Sequence, residues 1–301
     1  MNQHILKNIS DPAVFEENRL SAHSDHSVYT NKSELLKGTS SLCYSLNGVW
    51  KFDYSINLNC TPDGFETLDY DCRNLDDIRV PAHIQMEGYD RPHYANVAYP
   101  WDGRQALKSG EAPTDFNPVA GYVKYFTLPK NFLKDSLILR FEGVESAAAI
   151  WLNGHYIGYC EDSFTPSEFD LTKYVVDGEN KLAIQVTKWC AGSWLEDQDF
   201  FRFSGIFRDI YLYTKPKCHL DDIEIKQVFE KGSFDNVKLN LSIDLSNNAN
   251  VELRLFDAMD LTLKSNEFKG FDEMPVVYKS VSNLHSGKNN LSFDVVAPKL
   301  W

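Results

Sequence analysis

The chain has 301 residues, with 43 acidic against 30 basic side chains and a formal net charge of −13. That balance argues against nucleic acid or an anionic membrane as a partner, because both are bound through basic patches. The length fits two domains, and a hydrophobic share of 43% is enough to build real cores.

The six cysteines, Cys43, Cys60, Cys72, Cys160, Cys190 and Cys218, contain no C-x-x-C pair and read as reduced, mostly buried thiols. The eight histidines form no H-x-x-x-H or H-E-x-x-H pair, so a histidine zinc site has little support. Met1 to Asp11 lacks the apolar core of a signal peptide. No uncharged apolar run approaches the roughly 18 residues of a membrane span. A cytoplasmic protein with no membrane partner is the expectation.

Residues 1–40 are polar and read as an extended N-terminal segment. Strands and turns follow from Leu46. In Gly48-Val49-Trp50-Lys51-Phe52, alternation sets Trp50 and Phe52 on one face and Val49 on the other. Gly121 to Leu128 is a strand closed by Pro129. Ala147 to Tyr159 reads as a hairpin about Asn153-Gly154, since both central residues of a type I′ turn need positive φ. Asp177 to Asn180 turns into a strand whose Leu182, Ile184 and Val186 share a face.

Lys215-Pro216-Lys217 ends the first domain, because proline cannot continue a central strand. Beyond it, Val237, Leu239, Leu241, Ile243 and Leu245 alternate strictly, as do Val251, Leu253 and Leu255, and then Leu291, Phe293 and Val295. Residues 264–287 read as a long loop. The pattern predicts an all-β protein: an extended segment over 1–40, a β-sandwich over 41–217 and a smaller immunoglobulin-like sandwich over 218–301.

Two segments carry chemistry. Leu195 to Asp209 sets Glu196, Asp197 and Asp199 close together, which suits either a hard cation or sugar hydroxyls, or makes a plain acidic surface loop. Arg91 to Trp101 holds Asn96, whose amide both donates and accepts as a polyol requires, or which caps a turn. Trp101 either stacks on a sugar face or packs under the loop. Glu168 and Asp170 are separated by one residue and point to opposite faces of a strand, so they cannot converge on one glycosidic bond.

Asn96-Val97-Ala98-Tyr99-Pro100, Leu195-Glu196-Asp197-Gln198-Asp199 through Ser204-Gly205-Ile206-Phe207-Arg208-Asp209, and Gly143 through Leu171 resemble the non-catalytic half of glycoside hydrolase family 2 β-galactosidases. The resemblance covers about Asp11 to Trp301. It implies a jelly-roll, galactose-binding-like first domain and a second sandwich that lacks its closing strands. It implies that Asn96, Asp199 and Trp101 bind substrate, and that Asp199 also binds a sodium ion and the region of the galactosyl 6-hydroxyl. It implies no catalytic residue here: the family's two glutamates and its magnesium ligands lie on a later barrel domain. The expected partners are a β-galactoside, that barrel, and further copies in a homo-oligomer, for which Asn18 to His23 resembles a contact segment. Free-standing carbohydrate-binding modules, complementing subunits and β-glucuronidases of the same family are the alternatives.

Overall fold

The computed structural model describes residues 2–130, 132, 136–196, 199–231, 233–257 and 276–298. The chain divides into two compact units, Met1–Ala22 with Leu42–Thr214, and His23–Ser41 with Lys215–Trp301. The architecture is all-β, with a jelly-roll sandwich first and an immunoglobulin-like sandwich second.

In the first unit, strands β1 (Glu16–Glu17), β2 (Cys43–Ser45), β3 (Gly48–Ser55), β4 (Asp76–Val80), β5 (His93–Ala95), β6 (Val119–Thr127) and β7 (Ser136–Phe141) come in chain order. They are followed by β8 (Ala147–Leu152), β9 (His155–Cys160), β10 (Ser167–Asp170), β11 (Glu179–Thr187), β12 (Phe200–Arg202) and β13 (Ile210–Lys215). A seven-stranded sheet runs β1-β9-β8-β11-β6-β3-β4, a four-stranded sheet β10-β7-β13-β2, and β12 pairs with β5 in a separate ribbon.

The alternation read from the sequence sets the core. Trp50, Phe52, Ile150, Leu182, Ile184 and Val186 fill the space between the two sheets, while Val49 faces solvent. Asn153 and Gly154 turn β8 into β9 with φ of 52° and 82°, the positive values that a type I′ turn needs.

The opposite face of the seven-stranded sheet is buried as well. Trp151, Tyr159, Val123 and Ala183 pack with Ile5 and Ile9. Those two isoleucines, 1% and 0% exposed, belong to helix α1 (Asn2–Asn8) and the turn after it. The expectation of an extended segment over 1–40 is corrected here, and again at α2 (Lys32–Lys37). Two buried side chains in a polar stretch are too few to register as periodicity. They bury fully because the sheet offers a second apolar face.

In the second unit, β14 (Leu220–Phe229), β15 (Asn236–Leu245) and β18 (Gly287–Val296) form one sheet and β16 (Ala249–Phe256) pairs with β17 (Val276–Leu284). Val237, Leu239, Leu241, Ile243 and Leu245 form its core. The loop expected over 264–287 is corrected in its second half, which is β17, a tight turn and the start of β18. Residues 264–275 lie outside the described residues. The less exposed row of β17 is Tyr278, Ser280, Ser282 and Leu284, whereas Val277 and Val281 face out, so a hydrophobicity count reads the strand inverted. Tyr278 stacks on Phe293 with centroids 3.7 Å apart.

All six cysteines are free; Cys72, Cys160 and Cys190 are buried, and Cys43, Cys60 and Cys218 are exposed, which corrects the expectation of mostly buried thiols. Among the described residues no helix is long and apolar enough to cross a membrane.

Candidate functional site

The two segments singled out in the sequence are brought together by the β5–β12 ribbon. The register pairs Phe200 with Ala95, Phe201 with Tyr94 and Arg202 with His93. Asn96 and Asp199 directly flank the Ala95–Phe200 pair, so both lie at the same end of the ribbon. Tyr94 and Phe201, being paired, share one of its faces. Arg202, buried, staples the strands from beneath by donating to the carbonyls of Phe200 (2.6 Å) and Ala95 (3.2 Å).

Asp199 ends β12 in the left-handed region, with φ of 50°, a conformation that short polar side chains tolerate better than others. Its carboxylate oxygen Oδ1 accepts the Tyr94 hydroxyl at 2.6 Å. Tyr94 is the diagonal neighbour across the ribbon, within reach of a long aromatic side chain. The bond to Asp199 holds the phenol above its ordinary value of 10.0, and the nearby Asn96 amide opposes that rise. The two candidate sugar-binding groups thus flank one hydroxyl, which is bonded to Asp199. The Tyr94 ring packs on Phe201 at 5.2 Å.

Below the ribbon the same two segments meet a second time. Trp101 stacks on Tyr99 (5.1 Å, 8° between planes) and contacts Trp194 (5.1 Å) and Trp189 (6.1 Å). Tyr99 donates to the Trp194 carbonyl at 2.8 Å. Trp194 sits in helix α3 (Ser193–Glu196) at the head of the segment that leads to Asp199. Trp101 is only 3% exposed. The expectation that it stacks on sugar is corrected: its ring is taken up by other rings, and its work is to anchor the loop that carries Asn96.

Glu196, read from the sequence as a companion of Asp199, is committed elsewhere. It accepts from the Ser163 amide at 2.9 Å and from the Ser163 hydroxyl at 2.7 Å. Asp197 lies outside the described residues. Among the described residues no group of three or more His, Cys, Asp or Glu is placed to hold a metal. Asp199 fits one ligand of a shared cation site, with Oδ1 held by Tyr94, and does not make a site alone. Glu168 is buried against Arg140 (3.1 Å) and Tyr213 (2.9 Å), and Asp170 caps the Thr172 amide at 2.8 Å.

Residues 43–216 match the family model of glycosyl hydrolases family 2, sugar binding domain. The chain belongs to glycosyl hydrolase family 2. It is 46% identical over 280 residues to a β-galactosidase of Halalkalibacterium halodurans, covering 91% of this chain and 28% of that protein. It is 40% identical over 309 residues to the β-galactosidase large subunit of Latilactobacillus sakei, covering 96% and 49%. This family 2 chain thus spans between about a quarter and a half of the length of those relatives. Among solved structures, a Bifidobacterium dentium β-glucuronidase complexed with coumarin-3-O-glucuronide superposes with a TM-score of 0.61 at 19% identity, over 86% of this chain and 42% of that one. At that identity the likeness is one of fold.

The family 2 motifs include Tyr94 and Arg202 but point only to Asn96 and Asp199 as site residues. Their signal was present: three residues pair on each side of the ribbon, and Tyr94 falls two positions before Asn96. Reading it required the register between strands 105 residues apart, which no local pattern carries.

Proposed function

We propose that this chain is the N-terminal, sugar-binding part of a retaining β-galactosidase that hydrolyses terminal β-D-galactosides such as lactose. The observation that carries the reading is the meeting of Asn96 and Asp199 at one end of the β5–β12 ribbon, beside the Tyr94 hydroxyl, in a family 2 domain whose relatives are named β-galactosidases. Two glutamates on a barrel domain perform the chemistry, and Asn96 and Asp199 are lent to that site. Asp199 contributes one oxygen to a sodium ion beside the galactosyl 6-hydroxyl, and magnesium is held by the barrel alone. The complete enzyme is a cytoplasmic homo-oligomer, consistent with six free thiols. This chain alone should be inactive toward aryl β-galactosides, because the two glutamates that the family resemblance implies lie on the barrel domain and Glu168 here is engaged by Arg140 and Tyr213.

A β-glucuronidase reading is disfavoured by charge: a substrate carboxylate at C6 calls for Arg or Lys, and Asp199 would repel it. The test is Asp199→Asn in the complete enzyme. Losing a charged hydrogen-bond acceptor should lower kcat/KM for galactosides by about tenfold to a hundredfold, with little change in the thermal midpoint. Unchanged kinetics and unchanged sodium dependence would remove Asp199 from the site.

A further inference from the structure

Tyr94 is a half-exposed residue whose hydroxyl is nonetheless hydrogen-bonded. Its side chain is not part of either core of the first unit, and the residue is 52% exposed. Yet its hydroxyl donates to Asp199 at 2.6 Å, with the Asn96 side chain beside it. Its ring is held at 5.2 Å from Phe201, its register partner. A surface tyrosine on so short a strand has many directions open to it. This one is turned along the ribbon to the pair that the proposed function assigns to sugar.

We propose that Tyr94 is a positioning residue that fixes the orientation of Asp199 beside Asn96 for the galactosyl 6-hydroxyl. The inference rests on the β-galactosidase reading and adds a residue to it. The chemistry is one of allocation. The phenol takes up one oxygen of Asp199. The second carboxylate oxygen and the Asn96 amide are left to a ligand. A hydroxyl that must both donate and accept meets an acceptor already oriented and a donor beside it. Without the phenolic oxygen, Asp199 regains rotamer freedom, and binding must then order it. Because the tether acts on groups that read one hydroxyl, its loss should be felt only by substrates that carry that hydroxyl.

The experiment compares Tyr94→Phe, Asp199→Asn and the double variant in the complete family 2 enzyme that carries this chain. The substrates are an aryl β-D-galactoside and the aryl β-D-fucoside, its 6-deoxy analogue. For Tyr94→Phe we expect KM for the galactoside to rise and kcat/KM to fall by about tenfold, with less than about a twofold change for the fucoside. The double variant should be no worse than Asp199→Asn, because the two act as one unit. The thermal midpoint should stay in place, since phenylalanine keeps the ring contact with Phe201. If Asp199→Asn discriminates between the two substrates and Tyr94→Phe does not, the positioning role is overturned while the β-galactosidase reading stands. Equal losses on both substrates for Tyr94→Phe also overturn it, as the sign of a general structural effect. If Asp199→Asn leaves both substrates unchanged, the underlying reading falls and takes the role of Tyr94 with it.

Discussion

Lys188 and Asp90 form an ion pair whose side chains are 2% and 5% exposed. Asp90 also accepts from Gln85 at 3.1 Å, and Gln85 donates to Ser204 at 2.9 Å. Lys188 lies 5.2 Å from the Trp189 ring. Through the pair and Gln85, the residue before β5's segment is thus tied to the residue after β11 and to Ser204, two positions beyond β12.

Removing one partner leaves the other charge buried. Lys188→Met should therefore destabilise the chain by about 3–5 kcal/mol, whereas Lys188→Met with Asp90→Leu should recover most of that loss. Urea unfolding midpoints of the two variants decide it. A cost near that of a surface pair, about 0–1 kcal/mol, would mean that water reaches the pair.

Ile9→Ala should cost about 2–5 kcal/mol, the range for truncating a fully buried aliphatic side chain, because Ile9 is 0% exposed. The same change in a disordered tail would cost nothing. Chemical denaturation of the first unit's fluorescence signal gives the answer, with Trp151 in the same cluster as reporter.

Glu161 predicts a pH dependence of opposite sign to that of an ordinary surface carboxylate. Burial pushes its carboxyl above the usual 4.5, and the Glu196 charge adds to the rise, against the bonds from Tyr159 (2.7 Å) and the Gly192 amide (2.8 Å). The folded chain then holds this proton where the unfolded chain has released it. Its contribution to stability therefore falls as pH rises from 4.5 to the raised value, and is level above it. Glu161→Gln carries no proton to lose, so its unfolding free energy should lack that decline. Parallel pH profiles for wild type and Glu161→Gln would refute the assignment.

Much of this fold is legible in the sequence because burial on one face writes alternation directly into the residues. Trp50, Leu182 and Val237 all sit where a period of two puts them. Two things defeated that reading. Where both faces of a sheet are buried, as at β8 and β11, the covering residues are remote in sequence, and Ile5 and Ile9 carry no local pattern. Where serines face inward and valines outward, as along β17, the pattern is present with its meaning reversed. The candidate site divides in the same way. Asn96 and Asp199 stand in motifs, whereas the burial of Trp101 and the bond from Tyr94 depend on which ring and which strand lie opposite.

In the β5–β12 ribbon, paired residues have numbers that always add up to 295: 95 with 200, 94 with 201, 93 with 202. A one-residue insertion or deletion within either strand would change that sum. Every letter of the flanking motifs could survive such an event, yet Asn96 and Asp199 would be offset along the ribbon and one of them turned to its far side. Two intact motifs are therefore an incomplete criterion for a working site in a divergent relative. The spacing of each motif from its own strand has to be inherited along with the residues.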